Sequence, residues 1–182
     1  MKPKILGMML LGASLVLAAS KPPKPEPGTD AAIVAKVRHE VLSYPYFTIF
    51  DDISYRVENG HVELLGEVSQ PYKKSDLAHI VRDIPGVTSV SDSLKVLPLS
   101  DMDNRLRLQI ARAIYRDPMF TRYAMEAVPP IHIIVENGHV TLTGVVSTQM
   151  EKEVAAVRAA SSMSFGPVVN NLQVENPPVK KS

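Results

Sequence analysis

Val57-Glu58-Asn59-Gly60-His61-Val62-Glu63-Leu64-Leu65-Gly66-Glu67-Val68 returns as Val135-Glu136-Asn137-Gly138-His139-Val140-Thr141-Leu142-Thr143-Gly144-Val145-Val146, identical at nine of twelve positions and displaced by 78 residues. Agreement at this level is an internal repeat, and it requires a fold built twice from one unit of about seventy residues. The offset persists downstream, where Val90, Leu94 and Val96 correspond to Val168, Leu172 and Val174. Upstream it falls to 73, pairing Pro45 with Pro118 and Phe47 with Phe120, so the second copy carries five extra residues, with Pro129-Pro130 in that stretch.

Each copy changes periodicity in the same order. Ile33, Val34, Val37 and Val41 recur at helical spacing, as do Leu106, Ile110, Ala113 and Ile114. Asp30 and Asp103 stand where helix N-caps are expected, and Pro45 and Pro118 mark the ends, because a residue preceding proline avoids the α region. Asn59-Gly60 and Asn137-Gly138 then join two β-type runs; both central residues of a type I′ turn need φ > 0, which this dipeptide supplies. Val62, Leu64, Gly66 and Val68 alternate with more polar neighbours, as do Val140, Leu142, Gly144 and Val146, so one face of each hairpin is buried. Gly66 and Gly144 are expected on that inward face, where the missing Cβ lets a helix approach the strand. A second helix follows, with Leu77, Ile80, Val81 and Ile84 inward in one copy and Met150, Val154 and Val157 in the other. Strands Val90–Leu97 and Val168–Glu175 close the units. The reading is α+β: two tandem αββαβ units, each with two helices on one face of a three-stranded mixed sheet.

The ends are of a different kind. Lys2 and Lys4 precede Ile5–Ala19, fifteen apolar residues without charge, which as a helix rise roughly 22 Å against a hydrocarbon core of roughly 30 Å. A cleaved export signal over residues 1–20 is expected, with an uncleaved anchor as the alternative. Residues 21–29 hold four prolines and read as a linker, 98–102 as the hinge between units 30–97 and 103–175, and 176–182 as a frayed tail. The 182 residues contain no cysteine, which excludes disulfides, thiolate chemistry, cysteine metal sites and lipidation of the lipobox-like Leu17-Ala18-Ala19-Ser20.

The frame of helix, N-G-x-V-x-L-x-G-x-V hairpin, helix and V-x-x-V-x-x-x-L-x-V strand resembles the BON domain family of bacterial envelope proteins. The resemblance spans residues 30–97 and 103–175, as in periplasmic proteins with two such domains. It implies an αββαβ sandwich, a periplasmic or other envelope location, and a binding role without catalytic residues. On that reading Asn59, Gly60, Gly66, Asn137, Gly138 and Gly144 define the fold.

No nucleophile-elbow, phosphate-loop or dinucleotide pattern is present. His61 and His139 follow equivalent turns but lack a carboxylate at ligand spacing, and His132 has no partner to propose, so no metal is expected. The pairs Asp51-Asp52 and Asp101/Asp103 flank secondary elements, where capping is commoner than acid–base work. The chain is read as a non-enzyme without cofactor or small-molecule substrate. A formal net charge of +1 gives no field directed at nucleic acid.

That near balance hides a local excess. Residues 30–97 hold seven basic and ten acidic side chains, whereas Asn104–Arg122 holds five arginines against Asp117 alone. On a helical wheel Arg105, Arg112 and Arg116 cluster opposite the core stripe, with Leu108 and Tyr115 beside them and Phe120 beyond the helix end. Guanidinium groups flanked by apolar side chains suit the phosphate layer of an anionic membrane. Some two-domain BON lipoproteins are thought to recognise anionic phospholipid through this same helix. The leading expectation is therefore an envelope adaptor contacting anionic phospholipid through Arg105, Leu108, Arg112, Tyr115, Arg116 and Phe120. Two others stand beside it: a soluble chaperone-like stress protein using apolar tips at 44–50 and 119–123, and a module binding an envelope protein or glycan through a sheet edge.

Overall fold

The structure, a computed structural model, describes residue 26, residues 28–162 and residues 166–175. The expected export signal over residues 1–20, most of the expected linker over 21–29 and the expected tail over 176–182 lie outside them.

Helix α1, Asp30–Ser43, packs Ile33, Val37 and Val41 inward at intervals of four, and Val34 is left 40% exposed. Its cap is Thr29, whose side chain accepts the Ala32 N–H. Asp30 has a different task, given below. Strands β1, Asp52–Glu58, and β2, His61–Val68, form an antiparallel hairpin through Asn59 and Gly60, both at positive φ (51° and 77°), as an Asn-Gly turn of this kind requires. Helix α2, Pro71–Arg82, then buries Lys73, Leu77 and Val81.

The last strand is not continuous. It is two segments, β3 (Ser89–Asp92) and β4 (Lys95–Val96), both parallel to β2. Asp92 Oδ1 accepts the Leu94 N–H at 3.1 Å, a local bond that competes with the ladder. Leu94, at 2% exposure, joins the core at this break.

The second unit repeats the plan. Helix α3, Asp101–Tyr115, is capped by Ser100, and α4 is a single turn at Thr121–Ala124 within the longer connection. The hairpin is β5, Ile131–Glu136, with β6, His139–Val146; helix α5, Gln149–Ala160, leads to the short parallel segments β7, Val169–Asn170, and β8, Gln173–Val174. Asn170 Oδ1 accepts from Leu172 N at the corresponding break.

Helix α5 departs from the sequence expectation. Glu151, Ala155 and Ala159 face inward, whereas Met150 and Val157 are 64% and 65% exposed and Val154 only borders the core. The 78-residue offset pairs these inward residues with Lys73, Leu77 and Val81. Two alanines thus stand where the first unit has large side chains, and Phe120 and Tyr123 from the inserted connection enter the same core. Of the three residues expected inward, Met150 and Val157 therefore face solvent, and Val154 lies at the edge of the core.

Gly66 and Gly144 also act differently from expectation. Both have φ +108°, and a Cβ would lie 2.1 Å from the Asp52 carbonyl oxygen and 1.9 Å from that of Pro130. The close neighbour is the adjacent strand's backbone and not a helix.

The two units touch through the segment before β1. Ile133 N–H donates to the Ile49 carbonyl at 2.7 Å, so part of the β5 edge is paired. His132 Nδ1 donates to the Asp51 carbonyl at 2.6 Å, and its ring tilts against Phe47. Ile49 and Phe50 pack on the second unit's core, and Lys95 pairs with Glu136. His132 therefore has a partner, and it lies in the other unit.

Candidate anion-binding face of the second domain

The five arginines of 104–122 divide by geometry. Arg107 is buried at 2% exposure: Nη1 donates to Asn104 Oδ1 and Nη2 to the Val135 carbonyl, both at 2.6 Å. Burial pulls its pKa down, and Asp103 and Asp51 oppose the shift. Arg122 is bound to Glu151 and lies 4.6 Å over the Tyr123 ring. Arg105, Arg112 and Arg116 are exposed, and among the described residues their guanidinium groups have no hydrogen-bond or ion-pair partner. Leu108, 47% exposed, is on the same outward side.

Two residues of the expected site are elsewhere. Phe120 is fully buried and packs 6.3 Å from Tyr123. Tyr115 is half-buried, and its hydroxyl donates to the Ile131 carbonyl at 2.6 Å; burial, ahead of every other influence, raises its pKa. The helix ends at Tyr115, and a 3₁₀ turn, Pro118–Phe120, redirects the chain so that Phe120 enters the core. Phe120 is expected beyond the helix end, and it is the direction of this turn that takes it inward.

The structure adds a residue that the sequence reading did not single out. Arg158 on α5 donates through Nε to Asp117 Oδ2 at 2.7 Å, with Nη2 at the same distance. Asp117 also accepts the Met119 N–H at 2.9 Å, and this bond first, then Arg158, holds its carboxyl below the usual carboxylate range. Arg112, Ala113, Arg116, Asp117, Pro118 and Arg158 line an open concavity of about 380 Å³. Arg158 lies 46 positions after Arg112, and no linear spacing marks the pair. The 78-residue offset, which fixes the inward face of α5, was the available signal.

The acidic candidates have structural partners. Asp51 is fully buried, accepting from Lys73 Nζ at 2.6 Å and from both the backbone and hydroxyl of Ser69 at 2.8 Å. Lys73 Nζ also donates to Ser69 Oγ at 2.9 Å and reaches Thr48 at 3.5 Å. A Ser–Lys contact can form a nucleophilic pair. Here the lysine is held by a carboxylate and both side chains are buried, so the group anchors the fold. Asp101 lies in the first turn of α3, where its charge meets the helix dipole.

The apolar tips of the chaperone-like reading are also largely occupied. Tyr44, Phe120 and Tyr123 are buried, and Phe47, Ile49, Phe50 and Met119 border the cores. Among the described residues no cluster of three metal-ligating side chains is present, and no helix is long and apolar enough to cross a membrane.

The fold is therefore two tandem αββαβ units. The chain belongs to the BON domain family, whose model matches residues 29–98 and 103–176. BON domains are associated with the bacterial envelope and with phospholipid binding. No curated protein matches the chain. Among solved structures it is similar to CdsD, described as the structural protein of the type III secretion system of Chlamydia trachomatis. One structure is of the C-terminal domain and a second comes from structural studies of the same protein; both are 18% identical with a TM-score of 0.31. The alignments cover 79% of this chain and 64% and 61% of those chains, so less than two thirds of their length is spanned.

Proposed function

We propose that this protein is a non-catalytic module of the bacterial envelope whose second domain contacts anionic phospholipid through Arg105, Leu108, Arg112 and Arg116. The observation that carries this reading is the exposure of three unpaired arginines around an exposed leucine on α3, whose opposite face is buried. Each arginine at an anionic surface contributes about 1 kcal/mol, so three arginines and one leucine give reversible, salt-sensitive association. Tyr115 and Phe120 have no part in it.

The test is flotation of residues 21–182 with vesicles of phosphatidylcholine alone or mixed with phosphatidylglycerol. Binding is expected only to the mixed vesicles, and to be lost when Arg105, Arg112 and Arg116 are all replaced by Glu. Undiminished binding by that variant overturns the reading.

A further inference from the structure

We propose that Arg112, Arg116 and Arg158 form a phosphate-binding site that prefers a dianionic phosphomonoester to a monoanionic phosphodiester, with Asp117 as the internal counter-ion that the phosphate displaces. The proposal rests on the phospholipid reading for its setting and adds a residue from another helix, a charge preference and an exchange step.

Three guanidinium groups and one carboxylate line the concavity of about 380 Å³, leaving two positive charges unmatched within it. A phosphomonoester carries close to that charge near neutral pH, whereas a diester carries one. Arg112 comes from the last turn of α3 and Arg116 from its C-cap, and Arg158 reaches the same space from α5. Planar, forked donors converging from two elements can bind different oxygens of one phosphate. Both Arg158 contacts fall on one carboxylate oxygen, Oδ2, while Oδ1 holds the Met119 N–H. Asp117 can therefore release Arg158 without losing its cap on the 3₁₀ turn. Its exchange with phosphate replaces one charge-assisted contact by another.

The experiment compares wild-type residues 21–182 with Arg158→Gln and Asp117→Asn, the latter retaining an oxygen to cap Met119. Vesicles of phosphatidylcholine with phosphatidic acid or phosphatidylglycerol at matched surface charge provide the lipid arms. Glycerol 3-phosphate and inorganic phosphate, titrated by NMR on the Arg158 side-chain signals, provide the soluble arms. The wild type is expected to bind phosphatidic acid about tenfold more tightly than phosphatidylglycerol, one charge-assisted contact's worth. Arg158→Gln should abolish that excess and keep phosphatidylglycerol binding; Asp117→Asn should strengthen phosphomonoester binding.

A purely structural ion pair weakens binding in both variants, and that result overturns the proposal, as does equal binding of the two lipids by the wild type without opposed effects of the variants on glycerol 3-phosphate. The opposed effects of the two variants support it in either arm; seen with glycerol 3-phosphate they identify a soluble ligand, and seen on vesicles alone a lipid headgroup. Should wild-type protein bind no anionic vesicle yet show the opposed effects with glycerol 3-phosphate, the membrane reading fails and the phosphate site stands.

Discussion

The Asp103 carboxylate accepts the Gly138 backbone N–H at 2.8 Å and so ties the first turn of α3 to the hairpin between β5 and β6. Its other oxygen takes the Asn137 N–H at 2.9 Å, and Asp30 makes the same pair of bonds to Asn59 and Gly60, both at 2.8 Å. The repeated Asn-Gly turn is therefore half of a clamp, and an aspartate on the first helix is the other half. Asp103→Ala leaves the buried Gly138 N–H without an acceptor and should lower stability by about 1–3 kcal/mol. Asp30→Ala should cost less, because water reaches the exposed Asn59 N–H. Urea unfolding of both variants, with hydrogen exchange at residues 137 and 138, checks the ranking.

Gly144→Ala places a methyl group against the Pro130 carbonyl at a φ that other residues rarely adopt. A loss of at least about 1–3 kcal/mol is expected, and Gly66→Ala should behave alike against Asp52. The check is a lower denaturant midpoint with an unchanged slope. A neutral effect would show that the strand shifts freely.

Asp51 supplies the pH dependence. Burial is the largest influence and raises its pKa, but hydrogen bonds from Lys73, Ser69 and Thr48, with the Lys73 charge, outweigh it and hold the pKa below the usual value. A depressed folded-state pKa gives stability that is complete above the unfolded value, about 3.9, and declines as pH falls through it toward the folded pKa. Asp51→Asn should flatten that part of the acid limb in a stability-versus-pH series. Lys73→Met strands a buried carboxylate and should cost about 3–5 kcal/mol at pH 7, much of it recovered in the double variant.

The contact between units makes a further prediction. Phe50 lies before β1 of the first unit but packs on the core of the second. Phe50→Ala should reduce hydrogen-exchange protection in α3 and β5, including the Ile133 N–H bonded to Ile49. Lys95→Ala, which breaks the exposed pair with Glu136, should change stability by less than about 1 kcal/mol. Equal, negligible effects would mean that the units are energetically independent.

What could be read directly from the residues was local. Asn59-Gly60 and Asn137-Gly138 specify their turns because few other dipeptides accept two positive φ angles, and the stripes Ile33/Val37/Val41 and Leu106/Ile110/Ile114 specify which way α1 and α3 face. The repeat then defined the αββαβ order twice. Periodicity failed where small residues replaced large ones. Ala155 and Ala159 carry little hydrophobic signal, so periodicity alone favours Met150 and Val157 as the inward stripe. The inward face was set by how closely α5 must approach a core filled by Phe120 and Tyr123.

For the candidate site, Arg105, Leu108, Arg112 and Arg116 were legible because they share one face of one helix. Arg107 and Arg122 carry the same charge but are held by the Val135 carbonyl and by Glu151, contacts 28 and 29 residues distant. The sequence by itself determined the repeated unit, its turns and the outward basic stripe of α3, since each depends on neighbours within a few residues. Only the tertiary structure decided which arginines are unpaired, that Arg158 joins them through Asp117, and that Asp30 and Asp103 clamp the turns, because these depend on where distant backbone segments meet.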